Sequence, residues 1–212
     1  VIAPQKVMDT LGADVLRLWI ASTDYSGELS LSDEILKRVV EGYRRIRNTL
    51  RFLLANLDDF DPKAHALPVS QWIEIDRYAL QMAQRLQRQV LKDYAEFEFH
   101  YVAQKLQAFC SEDLGGFYLD ILKDRLYTSA KNSTARRSAQ SALYHITHSL
   151  LRLMAPVLSF TADEAWPLFT RNAKDSVLLH TWHRFPDTGG DLCERWDKIR
   201  AARSEVQKEL EA

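Results

Sequence analysis

Apolar residues recur at spacings of three and four along several stretches of the chain, which is the period of an amphipathic α-helix. The pattern predicts long helices over residues 33–57, 70–97, 101–127 and 135–154. Shorter helices are predicted over residues 4–11, 13–22, 161–169 and 194–212. We therefore expect an all-α protein, an antiparallel helical bundle with a short helical junction at the N-terminus and a C-terminal helical extension.

Local start and stop signals refine this pattern. Ser30 or Ser32 is expected to cap the longest predicted helix. The run Thr161-Ala-Asp-Glu164 has the spacing of a capping box, so a short helix is predicted to begin there. Gly115-Gly116 is predicted to kink its helix or to let a neighbouring backbone approach closely.

The C-terminal part of the chain is less regular. The apolar run SVLLHTW at residues 176–182 predicts either a short strand or a packed extended arm. The final helix, residues 194–212, is polar on most sides. Alone it would fray, so we expect it to continue into, or dock on, a part that lies outside this chain.

The helix predicted over residues 33–57 has two distinct sides. Its apolar side must be buried, and it consists of Ile35, Val39, Tyr43, Ile46, Leu50, Leu53 and Leu57. The margin of that side carries Arg44, Arg47, Asn48 and Arg51. This basic margin is either an ordinary solvated face or a surface for phosphates and bases.

Composition supports an all-α fold and narrows the possible partners. Gly and Pro number only 7 and 6 in 212 residues, and helix formers are abundant. The hydrophobic content of 46% is enough for a core. The net charge of −1 excludes a globally basic protein, so any binding of a polyanion must come from a local patch.

Two cysteines, Cys110 and Cys193, lie far apart in the sequence. They cannot make a four-cysteine zinc site, and small buried thiols in a reducing cytoplasm explain them best. No apolar run of about twenty residues predicts a membrane span, and the first residues have no features of a secretory signal. We expect a cytoplasmic monomer.

A search for catalytic motifs favours a binding module over a complete enzyme. His145 and His148, and likewise His180 and His183, have a spacing that metal ligands can have, but neither pair has a cysteine pair or a Glu-x-x-His pattern beside it. A second basic cluster contains Lys131, Arg136 and Arg137. From the residues alone, nucleic-acid binding and docking onto protein remain equally open.

Several segments resemble the bacterial isoleucyl-tRNA synthetases, which are class I enzymes. They are GADVLRLWIASTDYSGE at 12–28, SDEILKRVVEGYRRIRNTLRFLLANL at 32–57, FCSEDLGGFYLDILKDRLYT at 109–128, ARRSAQSALYHI at 135–146 and MAPVLSFTADEAW at 154–166. The resemblance covers nearly the whole chain. It implies the helical anticodon-binding domain that follows the catalytic core in that family.

The resemblance also implies what this piece does and lacks. Members attach isoleucine to its tRNA using ATP, and the implied role here is to grip the anticodon arm. The Lys-Met-Ser-Lys-Ser loop, nucleotide-binding core, editing domain and zinc-binding segment are absent from this sequence. ATP and zinc are thus expected to bind elsewhere in the parent synthetase, and no cofactor is expected here. The implied partners are isoleucine tRNA and the rest of the synthetase.

Site residues follow from the same resemblance. Arg47 is the foremost candidate for contacting anticodon bases, with Tyr43, Arg44, Asn48 and Arg51 around it. Arg136 and Arg137 are expected to contact phosphates. The implied organisation is a junction at residues 1–30, the bundle at 31–170 and an irregular arm with the start of a C-terminal region at 171–212. The alternative is a structural helical bundle that docks within a larger protein.

Overall fold

The computed structural model describes residues 3–27 and 31–211, and within these ranges it contains helices and no strand. The α-helices are α1 (Pro4–Leu11), α2 (Ala13–Ser22), α3 (Asp33–Leu57), α4 (Pro62–His65), α5 (Glu74–Ala95), α6 (Phe99–Ala108), α7 (Leu119–Thr128), α8 (Thr134–Met154), α9 (Ser159–Thr170) and α10 (Cys193–Glu211). Short 3-10 helices cover Val69–Gln71 and Val177–Leu179, and a π-helix covers Phe109–Tyr118. The prediction of an all-α helical bundle is confirmed.

Helix α3 begins and is buried as its sequence predicts. The Ser32 hydroxyl accepts a hydrogen bond from the backbone N–H of Ile35 at 3.2 Å, which satisfies one of the free donors at the helix start. Ser30, the other candidate cap, lies outside the described residues. Ile46 and Leu53 are completely buried, so the apolar side of α3 forms part of the core.

The helix predicted over residues 101–127 consists of three segments in the structure: α6, the π-helix and α7. Gly115 and Gly116, at which a kink or a close backbone approach was predicted, lie in the π-helix. A π-helix is wider than an α-helix. A Cβ atom on Gly115 would lie 3.1 Å from the carbonyl oxygen of Cys110. The close approach is therefore made by the helix's own backbone five residues earlier, which the missing side chain of Gly115 permits.

Helix α9 begins two residues before the predicted capping box, so that prediction of its start is wrong. The backbone N–H groups of Phe160 and Thr161 donate to the two carboxylate oxygens of Asp14 at 3.4 and 2.6 Å. Asp14 belongs to α2 and is itself buried. A distant carboxylate thus caps the positive end of α9, and no local side chain is needed.

The polar centre of the fold is the carboxylate of Asp76 at the start of α5. Asp76 has no exposed surface. It accepts hydrogen bonds from the Tyr118 hydroxyl at 2.8 Å, from Arg125 Nη1 at 3.0 Å and from the Ser138 hydroxyl. These donors belong to the π-helix, α7 and α8, so a single buried group joins four elements.

The apolar run at residues 176–182 is not a strand: it contains the 3-10 helix Val177–Leu179, which neither alternative predicted, and an extended arm follows that helix. Three glutamines of α5 hold it: Gln87 Nε2 donates to the carbonyl of His183 at 2.8 Å, Gln84 Nε2 to that of Pro186 at 3.2 Å and Gln81 Nε2 to that of Gly190 at 2.7 Å. Since side-chain amides satisfy the arm's carbonyls, no partner strand is required.

Helix α10 docks partly inside this chain, which corrects the expectation of an external partner for its first half. The Trp196 ring stacks on Tyr78 of α5 at 5.3 Å between centroids. Asp197 pairs with Arg85 at 2.9 Å. Arg200, one turn further on, pairs with Asp113 of the π-helix at 2.7 Å. Leu210, near the end of α10, is 81% exposed.

Three histidines pack together between α8 and the arm. The Nδ1 atom of His145 lies 3.0 Å from Nε2 of His183, and the ring of His183 stacks on that of His148 with centroids 4.9 Å apart. Burial lowers the pKa of His145 to about 4 and those of His148 and His183 to about 3. Neighbouring Arg152 lowers the pKa of His148 further.

We expect Asp76→Asn to lower the free energy of unfolding by about 3 kcal/mol or more, because it leaves the guanidinium of Arg125 buried without a counter-charge. Urea unfolding followed by circular dichroism measures the loss. Asp120→Asn is the matched control, since Asp120 forms an exposed pair with Lys123 at 3.2 Å, and it should cost about 0.5 kcal/mol or less. Equal losses of stability in the two variants would contradict the role of Asp76 as the buried carboxylate that joins four elements.

Acid should destabilise the chain through the histidine cluster. An unfolded histidine has a pKa of about 6.5, so between pH 6.5 and about 4 the unfolded chain binds protons that the folded cluster does not. Each such proton lowers the free energy of unfolding by about 1.4 kcal/mol per pH unit as pH falls. Urea midpoints at pH 7, 6 and 5 measure the slope. His148→Gln should flatten it, whereas His65→Gln, outside the cluster, should not.

Candidate nucleic-acid interface

The predicted basic margin of α3 lies beside α9. Arg44, Asn48 and Arg51 are exposed there, and 41% of the Arg47 side chain is accessible. The structure therefore brings the α3 candidates together on one face of the molecule. Their partners differ, and so does the chemistry that each can offer.

Arg47 is held by two neighbours. Its Nη1 atom donates to the hydroxyl of Tyr43 at 3.2 Å and to Oε2 of Glu164 in α9 at 3.1 Å. Its guanidinium carbon lies 5.9 Å from the centroid of the Tyr43 ring. The hydrogen bond to Tyr43, and after it the Glu164 carboxylate, raise the pKa of Arg47 above its ordinary value. The guanidinium is thus fixed in position with part of its surface open.

Tyr43 links this arginine to the rest of the fold. Its hydroxyl lies 2.9 Å from the hydroxyl of Thr161. Thr161 in turn donates its backbone N–H to Asp14. The side chain of Tyr43 is half-buried, so its role in this arrangement is to orient Arg47, while its ring packs against the core.

The other cations of the margin are held weakly or not at all. Arg44 pairs with Glu41 at 2.8 Å, but both side chains are more than half exposed. Such a surface pair contributes little free energy, so Arg44 can turn toward another anion at small cost. Asn48 and Arg51 make no side-chain hydrogen bond or ion pair within the part of the chain that the structure describes. Their donors are available to a ligand.

Helix α9 contributes residues that the sequence did not point to. Phe160, Glu164 and Leu168 are four residues apart on one row, and Phe160 and Leu168 are 67% and 69% exposed. A recess of about 90 Å³ between α3 and α9 is lined by Arg47, Arg51, Thr161, Glu164 and Leu168 among others. The row was visible as a spacing, but the sequence does not place α9 next to α3.

Arg136 and Arg137 lie in a different environment. Their side chains are only 15% and 8% exposed. Arg136 Nη2 donates to Asp59 at 3.1 Å and Arg137 Nη1 donates to Gln140 at 2.7 Å. Burial opposes ionisation of Asp59, but hydrogen bonds from Gln140 and Arg136 hold the pKa of Asp59 below its ordinary value. Both arginines thus donate hydrogen bonds within the chain. Their contact with phosphate stays a prediction.

The remaining chemical candidates do not assemble into a site. Among residues 3–27 and 31–211, no three His, Cys, Asp or Glu side chains are arranged to hold a metal ion. His180 bonds to Asp175 at 2.8 Å. Both cysteines are free, and burial raises the pKa of Cys110 to about 12.

None of the helices in the described ranges combines the length and the apolarity that crossing a membrane requires.

Known proteins match this chain along its whole length. Residues 76–212 match the family described as the anticodon-binding domain of tRNA ligase. The match begins in α5, so it does not include the margin of α3. The isoleucine–tRNA ligases of Thiobacillus denitrificans and Dechloromonas aromatica are 69% and 64% identical over the whole chain, which spans 23% of the length of each. They confirm the resemblance to isoleucyl-tRNA synthetases.

A solved structure supports the same fold. The chain superposes with a TM-score of 0.59 on LeuRS in a ternary LeuRS–tRNA–LeuAMS complex from Agrobacterium radiobacter K84, at 20% identity, with 86% of this chain and 21% of that one covered. At this identity the likeness concerns the fold alone. Together with the match of residues 76–212, which is more than half of the sequence, it leads to one conclusion: the chain belongs to the family of anticodon-binding domains of tRNA ligases.

Proposed function

We propose that this chain binds the anticodon arm of isoleucine tRNA through the margin of α3, as one part of a longer isoleucine–tRNA ligase that attaches isoleucine to its tRNA using ATP. The observation that carries the proposal is the row of exposed donors Arg44, Asn48 and Arg51 on α3, next to helix α9, on which the Phe160 ring is exposed. RNA loops are recognised by this combination of cations, amide donors and stacking surfaces.

Within this proposal the α3 residues have different tasks. Arg47 contacts a base, while Arg44 and Arg51 meet phosphates, and Asn48 offers amide donors and an acceptor to either. Tyr43 acts through Arg47, since its hydroxyl receives the hydrogen bond that orients the guanidinium. The chain's net charge of −1 makes this local row the source of attraction for RNA.

The wider organisation is part of the proposal. Residues 1–30 are the junction to a catalytic core, residues 31–170 are the anticodon-binding bundle, and residues 171–212 are the arm and the start of a further region. The contacts of α10 with α5 support a firm attachment of this last part. ATP and zinc belong to other parts of the ligase, which we take to be a cytoplasmic monomer.

Arg47→Ala should weaken binding of an isoleucine tRNA transcript by about 1–3 kcal/mol, because a bidentate contact to a base is lost. Filter binding over a range of salt concentrations measures the change. Arg45→Ala is the matched control, since Arg45 is an exposed arginine on the opposite flank of the same helix, and it should change affinity far less. An unchanged affinity for Arg47→Ala would remove Arg47 from the interface.

Arg136→Ala separates a structural role from contact with phosphate. We expect it to lower the free energy of unfolding by about 1–3 kcal/mol, because Asp59 loses a buried donor. A purely structural role of Arg136 leaves the salt dependence of tRNA binding unchanged. Lys131→Ala, which removes a nearby exposed charge, serves as the control for stability. If Arg136→Ala keeps full stability and reduces the salt slope by about one unit, Arg136 contacts phosphate.

A further inference from the structure

We propose that Glu164 determines the specificity of this interface: it neutralises Arg47 and turns the guanidinium so that its open edge favours an uncharged base edge over a phosphate. The inference rests on the proposed function and deepens it, since it states what Arg47 selects. Glu164 acts through Arg47 and is a positioning residue.

The guanidinium of Arg47 is held on one side only. Both of its hydrogen bonds, to Tyr43 and to Glu164, use the same nitrogen, Nη1. Within the described part of the chain, Nε and Nη2 of Arg47 make no hydrogen bond or ion pair. These two nitrogens form the parallel donor fork that binds a pair of acceptors. The structure thus keeps the recognition edge of Arg47 available while its opposite nitrogen is held.

The charge around the Arg47 guanidinium disfavours a phosphate. The carboxylate of Glu164 lies 3.1 Å from Nη1, so Arg47 and Glu164 together carry no net charge. A phosphate on the open edge would add a second anion close to this carboxylate and would be repelled. The acceptors of a base edge carry no net charge, and they match the spacing of the fork. The repulsive element that discriminates is therefore built into α9.

Arg51 offers a phosphate an alternative position on α3. Arg51 lines the same recess as Arg47 but, unlike Arg47, forms no ion pair within the described ranges. A phosphate is more favourably bound there, one helical turn along α3. Exposed Leu168 and Phe160 on α9 offer apolar surface to the faces of bases. The result is a division between a phosphate position at Arg51 and a base position at Arg47.

The fixed orientation of Arg47 adds to this selectivity. Tyr43 is bonded to Thr161, whose backbone N–H is bonded to buried Asp14. The partners on one side of the guanidinium are thereby anchored in the fold, and Glu164 completes the clamp from α9. Less conformational entropy is lost when a base binds to a side chain that is already oriented.

The test compares two RNAs and four proteins. The RNAs are an isoleucine tRNA transcript and the same transcript with one anticodon base changed. The proteins are the unaltered chain, Glu164→Gln, Arg47→Ala and the double variant, and each RNA is titrated over a range of salt concentrations. Glutamine keeps the size of the side chain and its hydrogen-bonding oxygen but removes the charge. Since 63% of the Glu164 side chain is exposed, the variant should fold, which thermal unfolding checks.

We expect Glu164→Gln to bind the altered transcript more tightly and to reduce the ratio of the two affinities by about two- to fivefold, the range of an exposed ion pair. The salt slope for the altered transcript should steepen by up to about 0.7, as for one additional phosphate of a single strand. In the Arg47→Ala background, Glu164→Gln should leave the ratio unchanged. Glu34→Gln, which removes an exposed charge 3.5 Å from Arg38 on the same α3 helix, should also leave it unchanged.

Two results would overturn the inference: an unchanged ratio for Glu164→Gln, or the same change of ratio with and without Arg47. The second result would mean that Glu164 acts only as a surface charge. The proposed function fails separately, if Arg47→Ala alone leaves the affinity for the isoleucine transcript unaltered. The single and double variants therefore distinguish the failure of one proposal from that of the other.

Discussion

The buried carboxylate of Asp76 is the interaction on which the bundle depends. It lies at the start of α5, without exposed surface, and receives donors from the π-helix, α7 and α8. A charge in this position is tolerated only while all its partners are present. The relative positions of these four elements are therefore fixed by one group. Helices α3 and α9 both pack against α8, which is one of the four.

A second buried carboxylate, Asp14, decides where the candidate interface forms. By capping α9 from α2 it fixes the first turn of α9, which puts the hydroxyl of Thr161 against Tyr43 and Glu164 against Arg47. The orientation of Arg47 thus depends on the hydrogen bonds by which Asp14 of α2 caps the start of α9. Side chains held in this way bind a ligand with a smaller loss of conformational freedom than side chains on a loop.

The arginines show which features of the site could be predicted from the sequence and which could not. Because Arg47 and Arg136 both lie in basic clusters of the sequence, both were predicted to contact RNA. In the structure Arg47 is partly open beside α9, whereas Arg136 is enclosed with Asp59. Sequence spacing reports which residues share a face of a helix, but the burial of a charge depends on what packs against that face. Glu164 was missed for the same reason, because its partner is 117 residues away.

By itself, the sequence determined the class of the fold and most helices, since amphipathic period, Ser32 as a cap and the scarcity of glycine and proline act locally. It also determined the family, through motifs that extend along the chain. Tertiary structure decided the start of α9, the π-helix between α6 and α7, the docking of α10 and the distant partners of Arg47, Arg125 and Arg136. These features depend on contacts between distant segments, and the free energy of such contacts exists only after the chain has folded around its core.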